Sequence, residues 1–189
     1  YWLARDRGLG LRYWISTGNE CDVDAAECVA FAADDPETRV IALYLEGARN
    51  GPRLIAALRK AAAWKKRVVA LKVGRSEVGA IAAASHTASL AGGDAVYDAV
   101  FRATGVYRAG SLEELVDVAE VAAQGRFPQG PRLGVVTISG GGGIMIADEA
   151  EAVGLTLPEM PPDAQADLKA VLPFSSPRNP VDITAQAFN

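Results

Sequence analysis

The sequence predicts an α/β chain of parallel sheets with helices on both faces. Three observations predict it. Short apolar, β-branched runs alternate with stretches of helical spacing, and this rhythm recurs about five times. The runs "RVIALYL" (39–45) and "RVVALKV" (67–73) are mostly apolar, as strands covered on both faces are. A third run, "RLGVVTI" (132–138), leads through "SGGGG" (139–143) into a helical stretch, the order of a parallel strand-turn-helix unit.

The elements follow in order. "YWLARDRG" (1–8) reads as part of a helix and "LRYWIS" (11–16) as a strand. Residues 22–33 have helical spacing, with Val23, Ala26, Ala30 and Phe31 on the inner side. Pro52 suits the first turn of the next helix, whose Leu54, Ile55 and Leu58 face inward. A helix over about 93–103 would bury Val96, Val100 and Phe101. Ser111 and Glu114 have the spacing of a capping box, and Gly125 suits the far end of that helix. "GRFPQGP" (125–131) reads as a linker. Beyond it come the strand 132–138, the glycine run, a helix over 144–153 ending at Gly154, and a short helix near 163–171 in a proline-rich tail. The expected architecture is two flavodoxin-like domains, 1–125 and 131–189, the second incomplete. Both ends read as interrupted, with another βα unit expected after "NPVDITAQAFN".

Composition narrows the function. Half of the 189 residues are hydrophobic and 22% are charged, enough for a packed core. The net charge of −4 leaves no basic footprint, so no nucleic-acid partner is expected. No run is long and apolar enough to span a membrane and no signal peptide is legible, so the expected location is cytoplasmic. Cys21 and Cys28 form no C-x-x-C pair, and with one histidine they make a zinc site improbable; no metal ligands are assigned.

The one histidine, His86, sits in "AIAAASHTASLAGGD" (80–94) among small residues. Ser85 and Thr87 flank it with hydroxyls that can bond an imidazole or a phosphate. The segment follows a strand, at the sheet edge where such folds place ligands. Parallel pairing of 39–45 with 67–73 would bring Glu46, at the end of "LYLEG", to that same edge. A carboxylate on one ring nitrogen fixes the tautomer and leaves the other nucleophilic. The glycine run Gly140, Gly141, Gly142 and Gly143, placed between strand and helix, offers a permissive backbone path and unpaired amides for an anion, most plausibly phosphate. It is no Walker loop, and Met145 stands where a dinucleotide fingerprint needs glycine. "GRSEVG" (74–79) is no nucleophile elbow, because Val78 stands where that motif needs glycine.

Taken together, "STGNECDVD" (16–24), "DDPETRVIALYLEG" (34–47), "ALKVGRSEVGAIAAASHTASLAGGD" (70–94), "VVTISGGGGIMIADEAEAVGL" (135–155) and "NPVDIT" (179–184) closely resemble the NDP-forming acyl-CoA synthetases. These are the relatives of succinyl-CoA synthetase and ADP-forming acetate–CoA ligase. The resemblance runs over essentially the whole chain. It implies an acid–thiol ligase that converts carboxylic acid, CoA and NTP to acyl-CoA, NDP and phosphate. It implies that His86 is phosphorylated during turnover, that Glu46 contacts it, and that the glycine turn receives the phosphohistidine. Thr17, Gly18 and Asn19, with the "NPVDIT" loop, are candidate substrate contacts.

The resemblance also implies what lies elsewhere. A CoA-binding module would precede Tyr1, and an ATP-grasp module holding NTP and magnesium would belong to the same chain or to a partner subunit. CoA and ATP/Mg are thus expected in the complete enzyme, and none bound by this stretch alone. A homo-oligomer or a complex with an ATP-grasp subunit is expected. The alternative is a non-catalytic, ligand-sensing synthetase-like domain of an acetyltransferase fusion.

Overall fold

The computed structural model describes residues 1–76, 78–79 and 93–184. It divides the chain into two compact units, Tyr1–Phe127 and Pro128–Asn189.

The first unit holds α1 (Trp2–Asp6), α2 (Ala25–Asp34), β1 (Val40–Leu45), α3 (Gly51–Ala63), β2 (Arg67–Lys72), α4 (Asp94–Thr104), β3 (Tyr107–Ala109) and α5 (Leu112–Gln124). Local chemistry sets most of these bounds. Asp24 accepts from the Glu27 amide at 2.9 Å while the Glu27 carboxylate accepts from the Asp24 amide at 3.1 Å, a complete capping box for α2. Asn50 caps α3 at 3.0 Å, with Pro52 in its first turn. Ser111 caps α5 at 3.1 Å, but Glu114 turns to the Gly110 amide instead of closing the box on Ser111. Gly105 and Gly125 end α4 and α5 in the left-handed region, at φ 71° and 69°.

The sheet runs β1-β2-β3, all parallel, with Leu45 beside Lys72 and Leu71 beside Ala109. One face packs Ile41, Leu43, Leu45, Val68 and Ala70 against α2, α3 and α4, with Leu58 and Phe101 fully buried. Each such side chain contributes about 1.5–3 kcal/mol. The other face packs Val69, Leu71 and Ala109 under Leu115 and Ala119 of α5.

Several expectations need correction. The run 11–16 forms no strand: it pairs with no strand among the described residues, and Leu11, Tyr13, Trp14 and Ile15 are exposed. Side-chain type suits a strand, but a strand needs a partner. The segment is held instead by Arg12, which bonds Asp35 at 2.6 Å and pairs with Glu37, and by Tyr13 against Phe31. β1 is fully covered on one face only: α5 packs against β1 as well as β2 and half-buries Val40, yet Ala42 and Tyr44 on that face stay exposed. The inner face of α2 is Ala25, Ala26, Val29 and Ala33; Val23 and Phe31 are exposed and Ala30 is half-buried. In α4, Tyr97, Phe101 and Thr104 are buried, Val100 is half-buried and Val96 is exposed.

The second unit holds β4 (Val136–Thr137), α6 (Gly140–Ala152), α7 (Pro162–Val171) and β5 (Val181–Asp182). β4 and β5 are parallel, pairing Val136 with Val181 and Thr137 with Asp182. The strand expected over 132–138 is thus two residues long. Pro180 has no amide to extend the ladder. The Asn179 side chain takes its place: Oδ1 accepts from the Val135 amide at 3.0 Å and Nδ2 donates to the Leu133 carbonyl at 2.7 Å. The glycine run is also corrected. It is no loop before the helix, because Gly140 to Gly143 are the first turn of α6 itself, and none of them has a positive φ. Among the described residues, no helix is long and apolar enough to cross a membrane.

Candidate functional site

The carboxyl edge of the first sheet gathers the polar groups. β1 ends at Leu45, so Glu46 emerges there, half-buried, with no hydrogen bond or ion pair among the described residues. Beside it β2 ends at Lys72, whose side chain is 1% exposed. The ammonium donates to the Val73 carbonyl and lies 4.9 Å from the Tyr97 ring centroid. Burial pushes its pKa down, Asp94 and Glu46 pull it up, and Arg108 pushes it down. Burial likewise raises the Tyr97 phenol, against the amide of Ala48, which favours the ionised form.

Arg108 on β3 pairs with both Asp94 and Asp98, one turn apart on α4, and Arg75 stands 4.0 Å from Asp94. In the sequence, Arg75 precedes and Asp94 follows the stretch 80–92. Ser85, His86 and Thr87 lie in that stretch, outside the described residues.

The candidate substrate contacts form a turn ahead of α2. The Thr17 hydroxyl donates to Glu20 at 3.3 Å, and the same carboxylate oxygen accepts from the Ala25 amide at 3.0 Å. Gly18 sits at φ 56°, a conformation glycine adopts freely, and Asn19 is exposed. Glu20 shares a cavity of about 10 Å³ with Ala48, Arg49 and Asn50, which brings this turn beside the loop after Glu46. That volume holds one water at most. A larger groove, about 260 Å³, lies between α2 and α3 over Ala26, Ala30 and Ala57, away from Glu46. Its Arg53 and Lys60 are already paired with Glu27 and Asp34.

In the second unit the glycines differ in what surrounds them. A Cβ on Gly143 would stand 3.1 Å from Pro180 and 3.2 Å from Thr137, and one on Gly140 3.2 Å from the Asp182 carboxylate. Gly142 would meet only ordinary contacts, and Gly141 only the Ser139 hydroxyl at 3.9 Å. Ser139 caps the helix on the Gly142 amide at 3.3 Å. No acceptor among the described residues takes the amides of Gly140 and Gly141. Helix N-terminal amides of this kind bind anions.

The sequence did not single out Lys72 or Tyr97, and it named the loop of Asn179 and Asp182 without ranking those side chains. One signal was present: a lysine closing an otherwise apolar strand run is out of place. Among the described residues no cluster of His, Cys, Asp or Glu could hold a metal ion.

Comparison with known proteins agrees with this architecture. The succinyl-CoA ligase-like flavodoxin domain matches residues 2–122, and a ligase-CoA domain matches 133–188. The chain is 41% identical to the alpha subunit of acetate–CoA ligase [ADP-forming] I of Pyrococcus furiosus, over 95% of this chain and 38% of the relative. It is 38% identical to a trans-feruloyl-CoA synthase from an unknown prokaryote, over 95% of this chain and 26% of the relative. Among solved structures it resembles the Ca. Korarchaeum cryptofilum acetyl-coenzyme A synthetase 1 in complex with phosphate and ADP. That match has TM-score 0.82 and 36% identity, over 95% of this chain and 39% of the other. The chain thus spans about two fifths, or less, of the proteins it matches. With the first domain profile covering well over half of its length, the chain belongs to the succinyl-CoA ligase-like flavodoxin domain family.

Proposed function

We propose that this chain is the phosphohistidine-bearing portion of an NDP-forming acyl-CoA synthetase. The His86 imidazole attacks the terminal phosphorus of an NTP. An N–P bond forms, and the P–O bond breaks with its electron pair leaving on the NDP. The phosphoryl group then passes to a carboxylate oxygen of the acid, giving an acyl phosphate and free imidazole. The CoA thiolate attacks the acyl carbon and phosphate leaves. Glu46 holds the other ring nitrogen's proton, and the amides of the glycine turn receive the phosphoryl oxygens. CoA, NTP and magnesium are engaged by parts of the complete enzyme outside this stretch, with an ATP-grasp domain or subunit presenting the phosphoryl donor.

The observation that carries this reading is the sheet edge. β2 leads into the stretch holding the one histidine, and the adjacent β1 delivers a carboxylate with no partner among the described residues. The open space at Gly141 supports it, because neither packing nor φ calls for glycine there. The relatives are named ligases and synthases, which favours this over a ligand-sensing domain. Those relatives act on different acids by name, so the acid is left unassigned. The test is the complete enzyme with γ-labelled ATP and magnesium. Acid-labile, base-stable label is expected on the protein and absent from His86→Ala; label that persists in that variant defeats the reading.

A further inference from the structure

β1 is an edge strand with one side open. The Arg67 amide donates to the Arg39 carbonyl and the Val73 amide to that of Leu45, so the odd-numbered residues of this run turn their backbone toward β2. Val40, Ala42 and Tyr44 turn theirs the other way, where no described residue bonds them. A six-residue apolar strand left open like this is a template for another strand.

The run 11–16 follows the line of β1. Near its start Arg12 holds Asp35 and Glu37, just ahead of β1. Beyond its end Glu20 shares a small cavity with Ala48 and Asn50, just past β1. The run thus travels in the direction of β1, yet no described residue bonds its backbone into a ladder. Trp14 and Ile15 are exposed, as are Ala42 and Tyr44 of β1.

The crossovers say which side the run lies on and what is due beside it. β1–α3–β2 and β2–α4–β3 both step one way across the sheet, with their helices on the face of Ile41 and Leu43. α2 lies on that face too and leads from 11–16 into β1. With the same right hand, 11–16 belongs on the far side of β1 from β2. α1, which leads into 11–16, is held on the opposite face, where Arg7 pairs with Asp117 of α5. A parallel strand entering through α1 must then step the opposite way, so it lies between β1 and 11–16.

We propose that the opening beside β1 takes one parallel strand, supplied by the stretch of the complete enzyme that precedes Tyr1. That strand bonds Val40, Ala42 and Tyr44 on one side and 11–16 on the other, with strand spacing of about 4.7–4.9 Å to each. It is apolar and β-branched, because it becomes internal to the sheet. β1 becomes internal as well, so Glu46 follows a strand bonded on both sides. The chain spans 38% of its Pyrococcus furiosus relative, and proteins of that length have further chain to supply the strand. A second copy suits the opening poorly. Its β1 would arrive antiparallel under two-fold symmetry and would bring its own run 11–16 into a space one strand wide.

The test uses the complete enzyme. Amide hydrogen exchange at Ala42 and Tyr44 should be slowed to within about tenfold of that at Ile41 and Leu43, which face β2. Open-chain rates at Ala42 and Tyr44, with Ile41 and Leu43 protected, overturn the proposal. Protection that disappears on dilution assigns the edge to a second copy and also overturns it. Ala42→Pro adds a second readout. Proline is tolerated on an open edge, but in an internal strand it removes a ladder bond. The variant should melt about 5 °C or more below the parent, and a parental melting temperature counts against the strand. If Ala42→Pro does not fold, exchange in the parent enzyme decides. A photo-reactive phenylalanine in place of Tyr44 identifies the occupant. Apart from cross-links to α5, it should join the stretch preceding Tyr1 of the same chain, and absence of that product defeats the assignment.

Discussion

Gly143 and Pro180 approach so closely that a Cβ on the glycine would stand 3.1 Å from the Cβ of the proline. Thr137 closes the other side at 3.2 Å. Neither a proline ring nor a strand residue gives way cheaply. Overpacking costs about 1–3 kcal/mol, against about 1 kcal/mol gained by replacing a helical glycine with alanine. Gly143→Ala should therefore destabilise the second unit by roughly 1 kcal/mol. Gly141, with open space around it, should behave oppositely, Gly141→Ala stabilising by about 0.5–1 kcal/mol. Urea unfolding of the two variants checks both signs. In the complete enzyme Gly141→Ala should also weaken binding of inorganic phosphate, trading function for stability.

Asn179 binds three backbone groups: the Val135 amide at 3.0 Å and the carbonyls of Leu133 and Pro158 at 2.7 and 2.9 Å. Asn179→Ala leaves all three without that partner, a loss of about 2–4 kcal/mol. Asn179→Asp keeps the acceptor but turns an anion toward two carbonyls. That carboxyl should titrate above the ordinary aspartate range. Its penalty is then full at neutral pH and shrinks as pH falls through the raised value, where the protonated oxygen can donate. Denaturant unfolding at pH 7 and pH 4 should show Asn179→Asp recovering relative to Asn179→Ala; equal behaviour at both values counts against these contacts.

How far the fold was legible depended on whether the signal was local. The cap at Ser111 and the apolar run of β2 carry their own chemistry, and both stand where the sequence put them. The segment 11–16 has strand composition, but pairing is a property of neighbours and no strand among the described residues lies beside it. Phe31 drew the inner face of α2 toward itself by bulk; alanines pack that face, and Phe31 meets Tyr13 outside. Four glycines argue against helix by propensity, yet Ser139 caps them and Pro180 and Thr137 pack on Gly143. At the candidate site, Glu46 was legible as a residue closing a strand. Its relation to Lys72 was not, because that depends on register between two strands.

Glu27 gives the first unit a pH dependence. Its carboxyl is held below its ordinary value of 4.5, chiefly by the Asp24 amide and then by Arg53. A depressed carboxyl stabilises the folded state above its unfolded value, and that contribution is lost as pH falls through the folded value. Acid unfolding of the chain should therefore steepen below about pH 4.5. Glu27→Gln, which can still accept from the Asp24 amide, should flatten this limb while leaving the capping bond. Stability measured between pH 3 and pH 6 checks the slope, and an unchanged slope removes Glu27 from the account.

Arg108 holds the start of α4 to β3 through its two-pronged pairing with Asp94 and Asp98. The side chain is 13% exposed, so the pairing is less screened than a surface bridge. Its pKa is raised chiefly by the bond to Asp94. Arg108→Met would strand two carboxylates that keep partial access to water, 30% and 44% exposed. That access limits the loss to about 1–3 kcal/mol, below the value for a sealed pair. Arg108→Lys keeps the charge but cannot reach both carboxylates with a planar fork, so it should recover only part of the loss. Because Asp94 opens the helix that follows residues 80–92, amide hydrogen exchange in the first turn of α4 should rise in both variants, more in Arg108→Met. Full recovery of stability and protection by lysine would show that charge alone, without the two-pronged geometry, holds this junction.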